Sequence, residues 1–307
     1  MRPAWSVILL TTLIGAGQGL LVAGFFADLL KATAARNFVI TSCAVSLLLL
    51  AAGLFASFFH LGRPERAWRT ASQWRTSWLS REVIVLPAFM AVVAAYGTGH
   101  FLSTGRVLNL WIGTIGVVLC IALFVCTGMI YACLKFLQEW HTALTPLNYL
   151  LLGTASGFTL AVPLAVLAFP PFAGVLALAA LSLGAAAYLG RCAALVRNAK
   201  LRPMSTTASA IGIAHPRIVQ KAQGFTGGSF NTREFFHGCP DRVVRAVRWT
   251  FLALLYPVPA SLLVWGSGSL ASFIAAFALQ FAGLLAERWV FFAEARHPQN
   301  LYYQTIS

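Results

Sequence analysis

Apolar residues along the chain fall into eight long runs, at approximately 5–30, 38–59, 82–101, 107–134, 147–169, 172–190, 249–267 and 269–291. Polar positions crowd into the intervals between them, and two intervals are long: 61–81 and 191–248. Each run is about as long as the ~20 residues a helix needs to cross the hydrocarbon layer. A chain inside lipid must also satisfy its own backbone, which helices and closed barrels alone achieve. The pattern therefore predicts an all-α, polytopic membrane protein with eight transmembrane helices, forming one domain over residues 1–307. The first run is too long for a signal peptide and no small-residue cleavage site follows it, so it is expected to remain as a membrane helix.

Composition agrees, with 59% hydrophobic and only 10% charged residues against roughly a quarter charged in soluble domains. The net charge of +14 suggests nucleic acid only until its placement is considered. With eight crossings both termini share a side, and that side collects nineteen of the 22 Lys and Arg residues; Lys31, Arg36 and Arg106 are the three on the other. Leaving out the long 191–248 loop gives nine against three. By the positive-inside rule both termini, the 61–81 connector and the long loop are expected to be cytoplasmic.

The connector belongs to the stretch "FHLGRPERAWRTASQWRTSWLSREV" at 59–83, with five arginines and three tryptophans. Gly62 and Pro64 stop the second span, and Pro64 can open a short helix to about Arg75, with Ala67, Trp68 and Ala71 on one face at headgroup level. Ser80 reads as the N-cap of the third span, which places Glu82 in its first turn. In the long loop, "HPRIVQKAQGFTGGSFNTREFFHG" (215–238) has the glycines and clustered polar residues of an ordered or partner-bound segment.

The available chemistry is narrow. Six cysteines, at 43, 120, 126, 133, 192 and 239, make no CxxC pair and read as small core residues. All six histidines lie at span ends or in loops, so neither haem nor an iron–sulfur cluster is expected in this chain. Gly224, Gly227 and Gly228 are not followed by Gly-Lys-Ser/Thr, which leaves no nucleotide loop. Gln18 reads as interhelical glue, and Asp28 lies near the outer interface. A transporter would need polar or unwound mid-membrane segments, and the runs show few.

His60 and Glu82 remain, both at the inner ends of their spans. A lipid-soluble quinone needs groups that hydrogen-bond its carbonyls and exchange protons with water, and an imidazole and a carboxyl supply both; Arg81 could hold a carbonyl or balance the acid. The same residues also fit a plainer account, in which Glu82 and His60 complement helix dipoles and the arginines set orientation.

"FHLGRPERAWR", "SWLSREV", "GFTGGSFNTREFFHG" (224–238) and "ERWVFFAEARHPQNLYYQ" (287–304), together with the eight-span layout, resemble the membrane anchor subunits of the dimethyl sulfoxide reductase type of molybdoenzyme. The resemblance implies a complex in the bacterial inner membrane, with a molybdopterin catalytic subunit, an iron–sulfur subunit, and this anchor binding ubiquinone or menaquinone. It associates His60 and Glu82 with the quinone; Trp78 and Arg81 match motif positions beside them. Arg63, Arg66, Arg69, Arg75 and Arg233 are the candidates for docking the iron–sulfur subunit. The cytoplasmic placement of the motifs is similar to that of cytoplasm-facing sulfite dehydrogenases of sulfur-oxidising bacteria, in which electrons pass from sulfite to quinone. The alternatives are a quinol-oxidising anchor of a reductase and a purely structural tether.

Overall fold

The computed structural model describes all residues except 216, 220, 223–233, 267 and 303–307. Its helices are α1 (Trp5–Lys31), α2 (Arg36–Ser57), α3 (Trp78–Phe101), α4 (Arg106–Ala132), α5 (Leu144–Ala168), α6 (Ala173–Ala199), the short α7 (Thr207–Ile211), α8 (Asp241–Leu255), α9 (Pro257–Trp265) and α10 (Leu270–Ala293). Eight spans are long and apolar enough to cross a membrane, α8 and α9 together making the seventh. At about 1.5 Å per residue, the 27 residues of α1 extend about 40 Å, more than the ~30 Å hydrocarbon core.

The first span is the hub. Its most apolar window is 72% buried, against 17% for the seventh, because α2, α4, α5 and α10 all pack on it. The α1–α5 crossing is made by small residues on both sides. Gly15 and Gly19 face Gly153 and Gly157, a Cβ at Gly19 would stand 2.5 Å from the Gly153 carbonyl oxygen, and one at Gly157 would run into the Gly19 backbone. Two helices approach this closely in a bilayer only where both present small residues at i and i+4. Leu20, Phe124, Phe158 and Phe172 fill the core around the crossing, and Gln18 ties α1 to α4 by donating to the Cys120 carbonyl at 3.0 Å.

Three details differ from the sequence expectation. The connector is a 3-10 helix over Pro64–Gln73. The seventh span breaks at Tyr256 (φ −142°, ψ −55°), since Pro257 has no N–H to continue the ladder; Gln280 of α10 donates to the Leu255 carbonyl at 3.3 Å. The flanking spans reach further into the long interval than their apolar runs, α6 to Ala199 and α8 from Asp241. Both ends of the described chain meet at one end of the bundle, where the Met1 amine donates to the Ala295 carbonyl at 2.8 Å and the Arg2 amide to the Glu234 carbonyl at 2.9 Å.

Candidate functional site

The third span begins three residues before the expected start. Ser77, in extended conformation, is the N-cap, and its hydroxyl accepts from the Ser80 amide at 3.4 Å, so α3 opens at Trp78. Ser80 is instead buried inside the helix. Glu82 consequently lies past the first turn, and a helix-dipole role no longer accounts for it. Its carboxylate accepts a hydrogen bond from the Thr127 hydroxyl of α4. Behind it is a cavity between α1, α3, α4, α5 and α10. Thr11, Thr12, Gln18, Tyr149, Ser156 and Arg288 give this space its polar wall, and Leu10, Ile14, Phe124, Leu152 and Leu284 are apolar. It offers about 20 Å³ to the centres of water molecules, enough for a water by the roughly 10–15 Å³ criterion but too little for an aromatic ring.

His60 ends the 3-10 turn that follows α2, exposed, with the edge-to-face pair Phe55 and Phe59 beside it at 5.3 Å. It does not line the Glu82 cavity. The two residues stand at the connector ends of adjoining helices, α2 and α3. Arg81 turns back to the connector: Nε donates to the Trp74 carbonyl and Nη2 to the Arg75 carbonyl, both at 2.9 Å, and the guanidinium stacks 4.2 Å from the Trp78 ring. Arg81 and Trp78 are thus a clasp between connector and α3. Arg63, Arg66, Arg69 and Arg75 are exposed; Arg69 and Arg75 lie over Trp68 and Trp74 at 5.4 and 5.1 Å. Arg233 lies outside the described residues.

Sequence reasoning missed a second polar centre. Arg191 of α6 (3% exposed) meets Glu287 of α10 (1% exposed) at 2.6 Å and Glu294 at 3.6 Å, and Arg248 of α8 meets Glu294 at 2.6 Å. Arg288, also buried, approaches Glu287 at 3.4 Å and stacks on the Tyr149 ring at 3.7 Å. Arg191 and Arg288 count as orientation signals in the sequence, whereas here they are interior ion-pair partners. The available signal was Glu287 and Glu294, seven residues apart and so on one face of α10. A third cluster sits at the opposite end of α3, where Asp28 (2% exposed) accepts from the Tyr96 hydroxyl at 2.7 Å and lies 3.2 Å from His100 and 3.7 Å from Arg106.

An eight-span bundle with a basic connector at one end and an acid beside its interior cavity describes a polytopic membrane protein. Residues 1–293 match the family described as DMSO reductase anchor subunit (DmsC), and the chain belongs to this family, as a membrane anchor of a molybdoenzyme. It is 52% identical, over the whole length of both chains, to a sulfite dehydrogenase subunit of Allochromatium vinosum. Membership implies catalytic partner subunits.

Proposed function

We propose that this chain anchors a sulfite-oxidising molybdoenzyme to the cytoplasmic face of the bacterial inner membrane and delivers its electrons to quinone beside Glu82. One observation carries the proposal: Glu82, the one acidic residue of α3, stands at the head of its apolar stretch, bonded to Thr127 and backed by a cavity with a polar wall. A carboxyl in the hydrocarbon region is expensive and is kept where it has work to do. The full-length likeness to a sulfite dehydrogenase subunit supports the choice of substrate.

The residues fit a quinone in kind. The chain offers a carboxyl, a hydroxyl and an imidazole beside exposed Phe55, Phe59 and Ile84, an apolar surface of the sort a lipid-borne ring contacts. The cavity behind Glu82 is water-sized, so the ring belongs on the bilayer side of the acid. Bound quinone supplies a two-electron, two-proton acceptor. Glu82 holds and releases the proton at its carboxyl, Thr127 fixes that carboxyl, and His60 offers a hydrogen bond at the helix end. The arginine–tryptophan face of the connector presents cationic, flat surface to an iron–sulfur subunit.

Glu82→Gln and His60→Leu in the assembled complex test this. Quinone reduction with sulfite is expected to fall at least about tenfold, the effect of losing a positioned acid–base group, while sulfite oxidation by a soluble artificial acceptor continues. Native quinone turnover in both variants would remove the assigned roles.

A further inference from the structure

Arg288 is the partition at one end of the Glu82 cavity. That residue also lines a second, smaller space, of about 10 Å³ measured to water centres, together with Glu287, Arg191, Asn148, Glu139, Asn198 and Glu294. Glu139, Asn198 and Glu294 in turn line an open pocket of about 610 Å³ at the end of the bundle where Arg296 and His297 stand. Three spaces therefore lie in succession, divided only by these shared side chains, from the bundle surface to the acid inside the bundle. Four of the chain's eight acidic residues, Glu139, Glu294, Glu287 and Glu82, are spaced along them.

Ion pairing alone does not explain the middle of this line. Asn148 is 6% exposed, yet its Oδ1 has no hydrogen-bond partner among the described residues. Glu287 Oε2 is likewise without one there, its nearest cation being Arg288 at 3.4 Å. Buried acceptors beside a water-sized space are where internal water binds. The charges also permit a proton: Arg191, Arg248 and Arg288 face four carboxylates, and Arg296 and His297 stand at the mouth. Arginine stays protonated and cannot relay, so these cations hold the carboxylates in place.

We propose that Glu139 and Glu294 at the mouth, Glu287 in the middle and internal water form a proton path from the open pocket to Glu82. The inference rests on the reading of Glu82 as the quinone-linked acid. Reduction of one quinone to quinol takes two electrons, from the iron–sulfur partner, and two protons, drawn by this path from water in the pocket. Each proton that Glu82 gives up is replaced from the Arg288 side, so acid–base exchange need not pass through lipid.

Glu139→Gln, Glu294→Gln and Glu287→Gln are compared with Glu82→Gln in the assembled complex, measuring sulfite:quinone turnover from pH 6 to 8.5 with and without formate, a small proton carrier. The path predicts that Glu287→Gln lowers kcat at least about tenfold with quinone KM unchanged, and that formate restores part of the loss. Glu139→Gln and Glu294→Gln should lose most at alkaline pH, where protons are scarce. Native pH profiles in all three, or losses that formate leaves untouched, would overturn the path. Should Glu287→Gln fail to assemble, the half-buried Glu139 at the mouth decides alone. An inactive Glu82→Gln beside native path variants sinks the path only; an active Glu82→Gln sinks the quinone reading and the path with it.

Discussion

Glu82 owes its position to Ser77 and its company to Thr127. The serine starts α3 early enough to carry the acid past the first turn, and the threonine supplies a side-chain hydrogen bond that the carboxylate accepts. Thr127→Val removes that donor while keeping the shape. A hydrogen bond to a charged group is worth about 1.5–3 kcal/mol, so quinone turnover is expected to fall roughly tenfold or more if the bond is used in the rate-limiting step. Thr127→Ser should retain it. Steady-state kinetics on the complex separates the two outcomes, and equal rates for Val and Ser would show that the bond plays no part. At this scale Glu82 was legible from sequence, because an acid at the edge of an apolar run is conspicuous. Its partner was not, since Thr127 lies 45 residues away and a threonine in a span signals nothing by itself. Arg191 and Arg288 were legible but misleading: basic residues near span ends serve topology far more often than they pair inside a bundle.

Eight hydrophobic runs gave the helices, but not which of them touch. The α1–α5 crossing was written in the sequence as Gly15-x-x-x-Gly19 and Gly153-x-x-x-Gly157, and only the structure pairs the two motifs across the bundle. Because the Glu82 cavity is walled by Gly15 and Gly153, spreading this crossing also opens the site. Gly157→Leu is expected to reduce assembly or thermal stability in detergent by about 1–3 kcal/mol or more, as overpacking against backbone does. Gly174→Leu, with nothing within 4 Å of its Cβ position, should be near neutral. Similar melting temperatures for the two would contradict the close approach. The break in the seventh span was hidden for a different reason. Pro257 announces an interruption, but the Leu255 carbonyl, whose i+4 position is Pro259 and has no N–H, is answered by Gln280 from another helix.

At the scale of the whole molecule, the elements proposed to act in function gather at one end: the connector, Glu82, the ion-pair centre and both ends of the described chain. The opposite end holds the Asp28–Tyr96–His100 cluster and short turns. The proposed topology puts the first end in the cytoplasm by the positive-inside rule, and taking Arg191 and Arg288 out of the count as buried residues leaves the asymmetry strong. With native cysteines replaced by serine, Arg66→Cys and Arg202→Cys are expected to react with an impermeant maleimide in inside-out vesicles and not in intact cells. Leu102→Cys, exposed at the far end, should do the reverse. Labelling in the opposite sense would move the catalytic partners across the membrane.

The burial of α1 at the hub of the bundle bears on biosynthesis. α1 precedes its partners in the sequence: α2 follows at once, with Ser46 donating to the Gly17 carbonyl, whereas Gln18 waits for Cys120 of α4, Asp28 for Tyr96 of α3, and the glycine face for α5. Until then the Gln18 amide and the Asp28 carboxylate lack the partners they have in the finished bundle. The hub of the bundle is therefore complete only once the fifth span has joined it.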